Sequence, residues 1–279
     1  MKLTRINPDH SWLLETTGLR LVVDPWLLGP EIDGFGWFHT QHLPQAAWPI
    51  AALGPLDAIV ITQPFSDHCH EETLRALPAS VPILAVPAAY RRLKRLFPEG
   101  RNLVSLDGTF CSHPSLPELT LTPLPASWWD PTHGGLWFSS EEGSVLIAPH
   151  GYRNRSLLRA LRTTMARPCT VLAPSLQYRL PFFLGGTVNL GLTNAYHLCQ
   201  DVHAHAFVET HSSDKPATGM ARALARCAAA KADALWGIVT LAPRKPALGK
   251  ARTASANFSG GMCSFEYRAE IPQAWSAAL

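Results

Sequence analysis

Between Asp57 and His70 the chain changes character abruptly. Asp57-Ala58-Ile59-Val60-Ile61-Thr62 is a short run rich in β-branched residues, the pattern of a buried strand. It breaks at Gln63-Pro64 and continues as Phe65-Ser66-Asp67-His68-Cys69-His70, after which Glu71 and Glu72 suit the positive end of a helix dipole. A rigid strand feeding a loop of potential ligands is a common way to build a site, because the strand fixes where the loop starts. Asp67, His68 and His70 can converge only from a loop, since residues two apart do not share a helix face. The plainer alternative has His70 capping the helix while Asp67 and His68 make ordinary loop hydrogen bonds.

Around this string the pattern is mixed. Ser11–Thr16 and Leu19–Val23 read as strands joined by a tight turn at Thr17-Gly18, ending at Asp24-Pro25. A Gly-, Pro- and His-rich stretch from Gly29 to Pro49 is too irregular for a regular element, and loops of that length are often functional. Pro82–Val86 reads as a strand and Ala88–Leu96 as a helix. Strands follow over Leu119–Leu124, Gly135–Ser139 and Ser144–Ala148, then a helix over Ser156–Ala166 and a strand over Thr170–Ala173. Leu190–Gln200 reads as a helix, Ala206–Thr210 as a strand ending at His211, and Gly219–Ala232 as a last helix. This is a mixed α/β chain without strict alternation, and nothing in it marks a domain boundary, so a single domain over residues 1–279 is expected.

Composition removes whole classes of function. Hydrophobic residues make up 47% and charged residues 16% of 279, an ordinary globular balance rather than a disordered one. A net charge of +3 gives no nucleic-acid surface, and no apolar run approaches the roughly 18 residues that cross a bilayer. The first ten residues lack the apolar stretch of a secretory signal, and the six cysteines are scattered without a C-x-x-C. Reduced thiols, a cytoplasmic location and a small-molecule substrate are the expectation. Twelve histidines are the less ordinary count, since imidazole is the commonest protein metal ligand.

His10-Ser11-Trp12-Leu13-Leu14-Glu15-Thr16 followed by Leu21-Val22-Val23-Asp24-Pro25-Trp26 resembles the opening hairpin of the metallo-β-lactamase superfamily, in its lactonase- and phospholipase-D-like branch. The Thr62–His68 string stands where that superfamily carries its T-H-x-H-x-D-H motif, and the resemblance runs from about residue 3 to 215. It implies an α/β fold, an αββα sandwich of two mixed β-sheets flanked by helices, with metals held at one edge by loops that follow strands.

The departures from that pattern are informative. The positions of one metal's three histidines read Gln63, Phe65 and Trp128 in Pro125-Ala126-Ser127-Trp128. Phe65 and Trp128 cannot ligate and Gln63 is a poor zinc ligand, which removes that site. The other site's ligands match Asp67, His68 and His211, and His150 stands where the family has an aspartate bridging two metals. A bridge is of no use to one metal, whereas a neutral imidazole is a good terminal ligand.

The resemblance thus implies one divalent metal ion on Asp67, His68, His150 and His211, zinc first, with iron or manganese as alternatives. His70 is an extra-ligand candidate. The function that follows is hydrolysis of an ester, lactone or amide of a small, apolar or acyl-bearing substrate by metal-activated water, with Asp24 or His70 handling the proton. Asp24 could instead orient a ligand histidine. Phe65, Trp128 and Trp129 are expected to line the substrate pocket, and His10 is a weaker candidate. Two other readings use the same residues: a non-catalytic ligand-binding or scaffold protein that has lost hydrolysis, and a mononuclear iron oxidase or oxygenase.

For several segments a plain role competes with a functional one. Tyr178–Leu184, followed by Gly185-Gly186, is either core or a flap, with core favoured on general frequency. His203 and His205 form an H-x-H with no carboxylate nearby, which favours a loop or strand-edge role.

Overall fold

A computed structural model describes residues 1–166, 168–211 and 215–228. Two six-stranded sheets dominate. The first runs, from edge to edge, Lys2–Arg5, Trp12–Thr16, Leu19–Val23, Ala58–Ile61, Ile83–Ala85 and Leu103–Ser105. The second runs Ala206–Glu209, Cys169–Ala173, Gly143–Ile147, Gly135–Ser140, Leu116–Leu124 and Cys111–His113. Both are mixed. Strands from Leu19–Val23 through Leu103–Ser105 are parallel in the first, and Gly143–Ile147, Cys169–Ala173 and Ala206–Glu209 are parallel in the second.

The alternation of side chains explains the layering. Within Ala58–Ile61, Ala58 and Val60 point between the sheets, where they meet Leu121, Phe138, Val145 and Leu172. Ile59 and Ile61 point the other way, onto Leu74 of the helix Glu71–Ala76 and Ala89 and Leu93 of the helix Pro87–Leu96. On the far side, Leu146, Val171 and Ala173 pack on Leu158 of the helix Arg155–Leu161 and Leu198 of the helix Leu192–Val202. Helices, sheet, sheet and helices therefore form four layers, and strands buried on both faces need the continuous apolar runs that the sequence carries. Each fully buried aliphatic side chain contributes about 1.5–3 kcal/mol relative to exposure. A charge at Val60 would break the contact between the sheets.

The first hairpin turns at Thr17 and Gly18, both with positive φ, the two-residue turn whose twist suits antiparallel strands. Several elements differ from the sequence reading. Lys2–Arg5 adds an edge strand, and Leu103–Ser105 and Cys111–His113 are short strands without a clear pattern of their own. The irregular stretch after Gly29 contains Glu31–Ile32 and Thr40–Gln41, which join Ala217–Thr218 in a small sheet. That pairing depends on a partner far along the chain, which local pattern cannot show. Gln177–Arg179 and Thr187–Leu190 form a hairpin that puts Phe182 94% and Phe183 76% exposed at its tip, so the core reading of this apolar stretch is corrected. The last helix is shorter than expected, Met220–Leu224, followed by the strand Arg226–Ala228; residues 229–232 of that expectation lie outside the described residues. Among the described residues no helix is long and apolar enough to cross a membrane, and the cysteines are free thiols.

Candidate metal centre

Four segments reach the same edge of the sandwich because each follows a parallel strand. Asp24 follows Leu19–Val23, Asp67 and His68 follow Ala58–Ile61, His150 follows Gly143–Ile147, and His211 follows Ala206–Glu209. The C-terminal ends of parallel strands are where α/β proteins generally place ligands. Asp24 and His211 both have positive φ, at 46° and 55°, conformations that non-glycine residues hold at a cost of about 1–3 kcal/mol and that concentrate at functional sites.

The edge gathers buried histidine nitrogens. One ligand atom from each of His68, His150 and His211 lies within 4.8 Å of the others. Each ring is held by its Nδ1. That of His68 donates to Asp24 Oδ2 at 2.9 Å, that of His150 to Asn189 Oδ1 at 2.8 Å, and that of His211 to Asp9 Oδ2 at 2.9 Å. The Asn189 amide is oriented by its own Nδ2, which donates to the His211 carbonyl at 2.8 Å, so its oxygen must face His150. The Nε2 atoms of His68 and His150 are buried with no hydrogen-bond partner. Unpaired buried polar atoms are costly and uncommon, and a metal ion would satisfy both.

Asp67 belongs to an overlapping group, in which one ligand atom from each of Asp9, His10, Asp67 and His211 lies within 4.8 Å of the others. Asp67 Oδ2 is 3.5 Å from His211 Nε2, its Oδ1 is 3.8 Å from His68 Nε2, and Oδ1 also accepts the His68 backbone N–H at 3.1 Å. Burial would raise the Asp67 pKa, but His68, His211, His10 and Lys215 outweigh it and hold the group far below the carboxylate range. Burial lowers His211 to about 4, against the opposing pull of Asp9, and pushes His150 well below the usual imidazole range. Both rings are therefore neutral at pH 7, as a ligand must be. For His68, burial lowers the pKa, but Asp67 and Asp24 raise it further, and the net direction is upward.

Asp24 is held on every side, accepting the Thr62 N–H at 2.7 Å and Thr62 Oγ1 at 2.5 Å besides His68. These contacts fit the reading in which Asp24 orients a ligand histidine. His70 is corrected. Its Nε2 donates to the Pro30 carbonyl at 3.3 Å, its Nδ1 takes the Thr73 hydroxyl at 3.0 Å and the Thr73 N–H at 3.3 Å, and so it caps the helix Glu71–Ala76. Both nitrogens are engaged, which leaves none for a metal or a migrating proton.

The positions lost from the family pattern hold other contacts. Gln63 Nε2 donates to the Gly134 carbonyl at 2.8 Å. Phe65 sets its ring edge-on to His150, with centroids 5.3 Å apart. Trp128 is 93% exposed and lines a cavity with Gln63, whereas Trp129 is exposed outside that lining. His203 caps the helix Leu192–Val202, and His205 Nδ1 bonds the Cys169 carbonyl, so the H-x-H pair stands apart from this edge.

Asp9, Asn189, Lys215 and Glu31 were not legible as site residues. Fully buried Asp9 binds His10 Nδ1 at 2.7 Å, His211 and Lys215 Nζ at 2.5 Å, and the His10 ring lies tilted against His68 with centroids 4.3 Å apart. Glu31 is buried, bonds Ser66 and Gln41, and is pushed up to about 7 by burial and by Asp67. The one available signal was Asp9 beside His10 in a loop entering a strand; the others lie in segments with no pattern of their own.

Residues 8–115 match the family model of the β-lactamase superfamily domain. No curated protein matches the chain in sequence. Among solved structures, the isothiocyanate hydrolase from Delia radicum gut bacteria is 21% identical, with a TM-score of 0.58 over 76% of this chain and 85% of that one. Igni18, a metallo hydrolase from the archaeon Ignicoccus hospitalis, is 16% identical, with a TM-score of 0.54 over 76% and 82%. CmlA, a diiron β-hydroxylase from Streptomyces venezuelae, is 16% identical, with a TM-score of 0.57 over 75% of this chain and 44% of its own. These likenesses are likenesses of fold. With two mixed sheets between helices, the chain has the metallo-β-lactamase fold, and its residues 8–115 are similar to the β-lactamase superfamily domain.

Proposed function

We propose that the protein is a metal-dependent hydrolase with one divalent ion on Asp67, His68, His150 and His211, acting on an ester, lactone or amide. The observation that carries this reading is the pair of buried, unpartnered Nε2 atoms on His68 and His150, each on a ring locked through its other nitrogen. When bound, the ion would supply Lewis acidity and activate water near neutral pH. Three imidazoles and one carboxylate suit zinc, and iron or manganese would also be accepted.

The chain's own residues define the rest. Asp24, Asn189 and Asp9 fix the three rings, and such outer partners typically sustain metal affinity about 10- to 100-fold. Phe65 places an apolar ring against His150, with ring centroids 5.3 Å apart. A single ion lacks the second charge that steadies a departing phosphate oxygen, which favours carboxylic substrates over phosphodiesters.

The test is elemental mass spectrometry on untagged protein purified without added metal, beside turnover of alkyl and aryl esters, lactones and an isothiocyanate, the substrate class named for one structural neighbour. About one equivalent of zinc with hydrolysis supports the reading. Iron with oxygen consumption would move the assignment to an oxidase, and no metal after reconstitution would leave a ligand-binding relic.

A further inference from the structure

The same edge of the sandwich continues past the histidines into different chemistry. The parallel strands Ala58–Ile61, Ile83–Ala85 and Leu103–Ser105 end side by side, and the residues that follow them wall a cavity of about 470 Å³. Val86 and Leu106 stand on this side, Leu124 ends a strand of the facing sheet, Trp128 sits in the turn after it, and Leu157 and Leu161 come from the helix Arg155–Leu161. The volume lies within the roughly 300–1,000 Å³ of small-molecule sites.

The charge of the lining is as informative as its size. Among the described residues no lysine, arginine or histidine lines this cavity, and Asp107 is the one ionisable residue that does. A carboxylate, phosphate or sulfonate placed here would lose water against apolar walls, gain no counter-ion and face a like charge. Thr62 joins the cavity to the histidines, since it lines the one and donates twice to the Asp24 carboxylate that holds His68.

The geometry points to a subsite for an uncharged alkyl or aryl group, placed so that the reactive end of the same molecule lies toward His68 and His150. This deepens the hydrolase reading and rests on it for the identity of the reactive end. The preference for a neutral apolar group rests on the cavity alone.

A matched pair of fluorescent probes tests it on the full chain: neutral N-phenyl-1-naphthylamine and its sulfonated analogue 8-anilino-1-naphthalenesulfonate. The neutral probe should bind at least about tenfold more tightly. Ala88→Trp, which fills the cavity from the start of the helix Pro87–Leu96, should weaken it by about tenfold or more. The exposed Asp107→Lys should narrow the gap between the probes while leaving the fold intact. No binding of the neutral probe, equal binding of both, or an unchanged probe ratio in Asp107→Lys would overturn the proposal. So would a folded Ala88→Trp that binds as before, because probe held at the exposed Phe182–Phe183 tip would be indifferent to that change. Metal content measured on the same samples separates the two claims. Metal-free protein that binds the neutral probe breaks only the hydrolase reading, and metal-loaded protein that does not bind it breaks only the subsite.

Discussion

The two halves of one sheet edge differ although the backbone builds them alike. In both, parallel strands end side by side and hand over to loops. Where Asp24, Asp67, His68, His150 and His211 follow, the loops bury imidazoles and carboxylates that hold one another by hydrogen bonds. Where Gln63, Val86 and Leu106 follow, the lining is apolar and nearly uncharged. The strand ends supply position, and the side chains that happen to follow decide whether the position serves a cation or an apolar group. His68 and His70 repeat the contrast at short range: two residues apart, one faces the cluster with a free Nε2 while the other caps a helix with both nitrogens engaged.

Removing a ligand from the polar half should have the largest effect. His150→Ala should reduce bound metal from about one equivalent to near none while the circular dichroism spectrum is retained, because Asn189 and the strand Gly143–Ile147 persist. Full metal content in that variant would break the contrast between the halves. Asp24→Asn should weaken metal affinity by about 10- to 100-fold in a chelator competition, through loss of the carboxylate that orients His68.

Acid offers a graded version of the same test. The folded-state pKa of His211, about 4, lies below its unfolded value, so the folded protein binds fewer protons there. The stability tied to neutral His211 is present above about pH 6.5 and is lost as pH falls through about 4. Bound metal and the thermal midpoint, followed by dialysis and calorimetry, should fall together as pH falls across that window. Glu31 carries the opposite sign: its pKa is raised to about 7, so it disfavours the folded state increasingly as pH rises from about 4.5. Glu31→Gln should flatten that part of the stability profile, measured by urea unfolding at several pH values.

The smallest effect is expected from His70→Ala. Loss of the helix cap should cost about 1 kcal/mol in urea unfolding with metal content unchanged. A fall in metal content would return His70 to the cluster.

Much of the sandwich was readable because its strands are buried on both faces and carry long apolar runs, as at Ala58–Ile61 and Gly143–Ile147. Edge strands such as Leu103–Ser105, and the small sheet through Glu31–Ile32, have no such pattern, since their pairing comes from distant partners. At the site, Asp67, His68, His150 and His211 were nominated by the resemblance to the superfamily's metal motif, position by position. The sequence could not distinguish His68 from His70, nor find Asp9, Asn189 and Lys215. Which nitrogen is left free depends on hydrogen bonds between residues far apart in the chain, and only the packed fold brings those groups within bonding distance.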